Sequence, residues 1–283
     1  MEPTVYIAVA AMGGLGFFFA GFLVLADKKL RVEEDPLVER IIEELPNTNC
    51  GACGYAGCLQ LAEKMSLHEV GVNGCPAGGQ EVSDNIAAIL GVESVAAEKV
   101  VAVLLCGGGT AEAKKNADYR GERSCVAADL TGGSKACIYG CHGFGDCVSS
   151  CNFGAMDMDS NGLPVIFYDK CVGCGACARE CPRDLIEMHP VERKLFVYCK
   201  NRDKGPAAKK ACTVACIGCT LCVKLCSVEG GIAMKDNLAV IDYELCPQDS
   251  DAPTTKCPTK CILLGAEEGV TRESYYASVK DAC

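Results

Sequence analysis

Cys171, Cys174, Cys177 and Cys181 follow one another as C-x2-C-x2-C-x3-C, with Pro182 directly after the last. In a run of this kind three thiolates hold one [4Fe-4S] cluster, and the fourth, ahead of proline, reaches a second cluster. More ligands must therefore lie nearby, and Cys137, Cys141, Cys147 and Cys151 precede the run. Spacing assigns Cys151, Cys171, Cys174 and Cys177 to one cluster, and Cys137, Cys141, Cys147 and Cys181 to the other. Zinc does not suit the run, because a structural zinc site closes at four ligands, commonly two C-x2-C pairs. A disulfide framework would call for a secreted and usually small chain, and this one has 283 residues.

Two further groups of cysteines obey the same grammar. Cys50, Cys53, Cys58 and Cys75 are spaced C-x2-C-x4-C-x16-C, a full set for one cluster, and the glycines between them let the backbone wrap closely round the inorganic core. Beyond residue 190, an offset of 75 carries Cys137, Cys141, Cys147, Cys151 and Cys171 onto Cys212, Cys216, Cys222, Cys226 and Cys246. The two stretches therefore read as copies of one module. In the second copy Cys216, Cys219, Cys222 and Cys257, the last followed by Pro258, make a complete set. Cys226 and Cys246 belong to an incomplete fifth, because the positions matching Cys174 and Cys177 are Asp249 and Ala252. Its missing ligands are sought among Cys261, Cys212, Cys199 and Asp249, with thiolate favoured over carboxylate by the soft iron-sulfur core. Cys106 and Cys125 read as buried small hydrophobes, and Cys283 receives no role. The expected cofactor load is four [4Fe-4S] clusters with half the ligands of a fifth, and no pattern for acid-base or nucleophilic catalysis accompanies them.

These thiols need elements to carry them. Residues 5–26 hold no charged side chain, a length that at about 1.5 Å per residue crosses a hydrocarbon core of about 30 Å. A signal peptide would begin with a basic region, whereas Met1-Glu2-Pro3-Thr4 has none and Lys28, Lys29 and Arg31 follow the apolar stretch. The positive-inside rule then puts the N-terminus outside and the cysteines in the cytoplasm, where thiols stay reduced. Leu37, Ile41, Ile42 and Leu45 recur at helical spacing before Pro46, which predicts an amphipathic helix over 35–45. Residues 100–105 read as a buried strand, followed by Cys106-Gly107-Gly108-Gly109-Thr110 and a polar helix. That order lacks the G-K-S/T ending and the spacing of the nucleotide fingerprints. A net charge of −10 argues against a nucleic-acid partner, which asks for a basic footprint. The fold expected is α+β: a transmembrane anchor (1–30), a small [4Fe-4S] domain (31–82), a connecting α/β segment (83–135), a two-cluster ferredoxin-like module of βαβ type (136–190), a degenerate second module (191–265) and a tail (266–283).

In this order the apolar helix, Asn49-Cys50-Gly51-Ala52-Cys53-Gly54-Tyr55-Ala56-Gly57-Cys58, Cys75-Pro76 and the ferredoxin runs resemble the B subunits of the Rnf complex, across nearly the whole chain. That complex is the ion-translocating ferredoxin:NAD oxidoreductase of bacterial and some archaeal membranes. The block from Cys137 to Cys151, and Cys199 with Cys212, are similar to the longer, anaerobe-type versions of the subunit, while Asp249 and Ala252 depart from the pattern. The resemblance implies a single-pass protein of the cytoplasmic membrane that accepts electrons from soluble ferredoxin. It would relay them toward the flavin-bearing and integral membrane subunits (A, C, D, E and G) and finally NAD, while Na⁺ or H⁺ crosses the membrane. The competing expectation is a membrane-tethered polyferredoxin that serves another reductase or a redox regulator without pumping ions.

Overall fold

The computed structural model describes residues 3–30, 35–94, 96, 98–246 and 251–264; Asp249, Cys283 and the tail lie outside them. The apolar stretch forms α1 (Pro3–Leu30). Its segment Ala11–Lys29 has a mean hydropathy of 1.4 and is long and apolar enough to cross a membrane.

The expected amphipathic helix is α2 (Pro36–Glu44). Asp35 starts it by accepting the Leu37 N–H at 2.9 Å, with Pro36 in the first turn, so that one orphan donor of the helix start is satisfied. Val38, Ile41 and Leu45 bury against α3 (Cys58–Ser66) and α4 (Gly79–Leu90), where Leu61, Ala62, Met65 and Ile86 complete a small core. This core is the platform of the first cysteine group.

From residue 100 the chain builds short helices over two-stranded sheets: β1 (Val100–Leu104), α5 (Cys125–Asp129), α6 (Asp146–Ser149), β2 (Met156–Met158), β3 (Pro164–Ile166), α7 (Ala176–Glu180) and β4 (Ile186–Pro190). β1 pairs antiparallel with β4, Val100 opposite Pro190 and Leu104 opposite Ile186, while β2 pairs with β3 inside them. The pattern recurs in β5 (Leu195–Val197), α8 (Gly205–Ala211), α9 (Leu221–Leu225), β6 (Ile232–Lys235), β7 (Leu238–Ile241), α10 (Asp251–Thr255) and β8 (Ile262–Leu264). Here β5 with β8 is the outer pair and β6 with β7 the inner one. Val103, Leu105 and Phe196 form a shared core beside Tyr168, Tyr198 and Tyr243, and it joins the two repeats.

Two expectations change. The βαβ order gives way to antiparallel pairs in every sheet among the described residues, because the links between inner strands are far shorter than the dozen or so residues a parallel crossover needs. The polar helix after Thr110 does not form either. Its backbone is taken up by long-range partners: Thr110 N–H donates to Asn161 O at 2.8 Å, Lys114 N–H to Ala211 O at 2.9 Å, and Ala136 N–H to Lys114 O at 2.7 Å. Tertiary bonds of this kind override a helix propensity worth only tenths of a kcal/mol per residue, ~0.5. The segment expected to be a connector thus supplies β1 to the sheet of the following module.

Candidate iron-sulfur sites

Cys50 and Cys53 lie in a loop, Cys58 opens α3, and Cys75 precedes α4. Asn49 Oδ1 accepts the Cys58 N–H at 2.8 Å, and a Cβ on Gly57 would stand 2.8 Å from that same oxygen, so a side chain there would push Asn49 out of this bond. Burial lifts the Cys75 thiol above its ordinary range, opposed by N–H groups of Gly78 and Ala77, with Cys58 and Cys50 near enough to add to the rise. Cys53, Cys58 and Cys75 all pack on the α2–α3–α4 core.

Among the described residues from 100 onward, thiols line four further cavities. Cys151, Cys171, Cys174 and Cys177 line the first, among Met156, Ile166 and Met188. Burial and the neighbouring Cys171 and Cys174 push Cys177 up to about 11. Gly173 has φ of 71°, and a Cβ there would stand 2.6 Å from the Val100 carbonyl oxygen; the ligand loop lies directly on β1.

Cys125, Cys141, Cys147 and Cys181 line the second cavity. Asp146 ties α5 to α6, its Oδ2 accepting the Ser124 hydroxyl and the Cys125 N–H, both at 2.8 Å. Arg183 clamps the other side, donating to Gly140 O at 2.6 Å and Asp129 Oδ1 at 2.7 Å. Hydrogen bonds from Arg183 and His142 hold the Asp129 carboxyl below the usual carboxylate range. Burial, with Cys125 and Cys181 close by, pushes Cys147 up to about 12.

The third cavity is lined by Cys106, Cys137, Cys199 and Cys212, two from each repeat. Cys106 and Cys199 each follow the end of an outer strand by two residues. Cys106 Sγ accepts the Cys141 N–H at 3.4 Å, and Cys199 Sγ accepts the Cys216 N–H at 3.3 Å, so the contacts repeat with the modules. Asn201, only 1% exposed, donates its side-chain amide to Cys137 Sγ and its backbone N–H to Cys199 Sγ, both at 3.4 Å. Burial raises Cys199 to about 12 and Cys212 to about 11.

Cys216, Cys219, Cys222 and Cys257 line the last cavity together with Cys261. Hydrogen bonding with Cys261 draws the Cys216 and Cys257 thiols down, to about 6 and about 5. Cys257 also accepts from the backbone N–H groups of Ile262, Cys261 and Thr259, which favours its thiolate.

The cavities sort the thiols differently from the spacing. Cys137 leaves Cys141, Cys147 and Cys181 for the third cavity, and Cys125 takes its place. A signal for Cys125 exists in the repeat: position 144, which matches Cys219, is Phe, so the first copy lacks a middle cysteine. Cys106 carries no comparable spacing signal. Of the ligands considered for a fifth cluster around Cys226 and Cys246, Cys199 and Cys212 belong to the third cavity and Cys261 to the fourth. Cys226 and Cys246 meet each other instead, sulfur to sulfur at 3.8 Å.

The grouped thiols suit an iron-sulfur core by their chemistry. Backbone and amide N–H groups point at their sulfurs, as cluster thiolates require. Among the described residues, no three His, Cys, Asp or Glu side chains gather as a site for a single metal ion. Residues 45–77 match the family model of an Fe-S cluster, and residues 164–187 match the 4Fe-4S binding domain. The B subunit of the ion-translocating oxidoreductase complex of Methanosarcina acetivorans is 38% identical over 265 residues, covering 93% of this chain and 100% of the relative. The chain belongs to this B-subunit family. Two further members agree along the same length. The B subunit of the Na(+)-translocating ferredoxin:NAD(+) oxidoreductase complex of Acetobacterium woodii is 38% identical over 95% of this chain and 80% of its own. That of the proton-translocating ferredoxin:NAD(+) oxidoreductase complex of Clostridium ljungdahlii is 44% identical over 93% and 95%.

Proposed function

We propose that this chain is the electron-transfer subunit of a membrane-bound, ion-translocating ferredoxin:NAD oxidoreductase, taking electrons from reduced soluble ferredoxin and relaying them to the flavin-bearing and membrane subunits of its complex. Five [4Fe-4S] clusters would be held by Cys50, Cys53, Cys58 and Cys75; by Cys151, Cys171, Cys174 and Cys177; by Cys125, Cys141, Cys147 and Cys181; by Cys106, Cys137, Cys199 and Cys212; and by Cys216, Cys219, Cys222 and Cys257. The residues from 100 onward form two ferredoxin-like copies in tandem, and α1 anchors them as a single span with the thiols on the cytoplasmic side.

The observation that carries this reading is how cysteines four apart divide between cavities. Cys147 and Cys151, like Cys177 and Cys181, face the first and second cavities. Cys137 and Cys141 face the third and second, and Cys212 and Cys216 face the third and fourth. Four residues reach at most about 13–14 Å even when fully extended, so each cavity lies within a short step of the next. When bound, the clusters supply one-electron carriage; the chain fixes their spacing, excludes water with Met, Ile and Leu, and directs N–H groups at sulfur to tune potential. No side chain is required as an acid, base or nucleophile.

Anaerobic titration of the cluster-loaded chain with reduced ferredoxin tests the proposal. Bleaching of all clusters and reduced-cluster resonances on a catalytic timescale are expected. A chain that carries its iron yet takes no electrons from ferredoxin would overturn the ferredoxin reading and leave a tethered polyferredoxin serving another donor.

A further inference from the structure

Cys226 and Cys246 are what remains, in the second copy, of the ring that Cys151 and Cys171 share with Cys174 and Cys177 in the first. Cys226 ends α9 and is half-buried, whereas Cys246 is buried at 4% exposure. The sulfurs lie 3.8 Å apart and join segments 20 residues apart in sequence. The Cys226 N–H donates to Cys222 O at 3.0 Å, and the Cys246 N–H to Asp242 O at 2.8 Å, so hydrogen bonds hold the backbone on both sides. Over the pair runs Gly231, where a Cβ would stand 3.0 Å from Cys226 Sγ and 3.2 Å from Cys246 Cα. Glycine there leaves the two sulfurs room to approach.

We propose that Cys226 and Cys246 form a reversible dithiol-disulfide couple, a two-electron site beside the one-electron relay, whose reaction partner is a small-molecule disulfide. The Cys226 thiolate, on the more open side, attacks one sulfur of the partner and displaces its first thiolate, which leaves a mixed disulfide. The Cys246 thiol then gives up its proton and attacks the Cys226 sulfur, displacing the second thiolate. Two protein thiols are oxidised, one external disulfide is reduced to two thiols, and the two protein protons end on the products. The sulfurs close from van der Waals contact to about 2.05 Å, a movement within reach of side-chain rotation. The couple closes the end of α9 onto the segment after β7, whether or not Cys222 holds iron.

The test uses the full cluster-loaded chain under anaerobic conditions, incubated with oxidised glutathione over a series of glutathione ratios, alkylated, digested and mapped by mass spectrometry. A peptide linking Cys226 to Cys246 is expected, reversed by dithiothreitol, absent in Cys226→Ser, and formed with iron content unchanged. Three results overturn the proposal: both cysteines stay fully alkylatable at every ratio, glutathione remains on Cys226 without release, or Cys226→Ser and Cys246→Ser each shed about four irons per chain, as ligands of a further cluster would.

Discussion

Removing one ligand of a ring exposes the whole cluster to loss, so iron counts in single and double mutants reveal which cysteines work together. Cys106→Ala and Cys137→Ala are each expected to lose about four irons, and the double mutant no more than either alone. Cys137→Ala combined with Cys181→Ala loses about eight. Iron analysis with paramagnetic spectra checks both, and a shared loss for Cys137 and Cys181 would restore the grouping expected from spacing alone. Cys171, Cys174 and Cys177 fall within seven consecutive residues, and the cavity they line with Cys151 gathers the thiols that the spacing puts together. Cys106 was not legible, since its partners Cys199 and Cys212 come from the other repeat and are brought to it by the core of Val103, Leu105 and Phe196.

At the scale of elements, β1 decides what counts as a module. A fragment spanning 136–190 contains one complete ring, Cys151 with Cys171, Cys174 and Cys177, but lacks Cys125, Cys106 and β1. It is expected to hold about four irons where an independent two-cluster ferredoxin holds about eight; reconstitution and iron analysis of the fragment give the answer. Contact of the ligand loop with β1 offers a second test. Gly173→Ala adds a left-handed strain of about 1–3 kcal/mol to a Cβ 2.6 Å from the Val100 carbonyl oxygen. Its thermal midpoint should fall by several degrees, with the Cys151 ring losing iron first. The helix at 36–44 was readable from its 3.6-residue periodicity, and the strand at 100–104 from an unbroken apolar run. The loop after Thr110 was not, because its conformation is set by Asn161, Ala211 and Ala136, all distant in sequence.

For the whole molecule, five rings predict about twenty irons per anaerobically purified chain, and a value near eight with zinc in the remainder would reject the cluster reading. Charge bears on the partner. With a net charge of −10, the chain opposes an acidic ferredoxin unless a local basic surface steers it. Arg202, Lys204, Lys209 and Lys210 are exposed around α8, and Cys212, directly after it, lines the third cavity. Lys200, at the edge of the same cavity, is already paired with Glu187. Changing Lys204, Lys209 and Lys210 together to Glu should slow reduction by ferredoxin about tenfold or more at low salt and flatten its salt dependence. Iron content should not change. A native rate in low salt would place docking elsewhere.

The ring that bridges the repeats also imposes a schedule on biosynthesis. On the proposed ligand sets, synthesis completes the rings in the order Cys75, Cys177, Cys181, Cys212 and Cys257, which sets the earliest moment at which each could take up its cluster. Cys106 and Cys137 must wait for Cys212, and the 75 residues from Cys137 to Cys212 take about 4–15 seconds to translate. Of the five proposed rings this one waits longest between its first ligand and its last, from Cys106 to Cys212. On the proposed relay, oxygen met while the chain is being made would have its longest access to this middle ring, and a break there would separate the two halves even with every other cluster inserted.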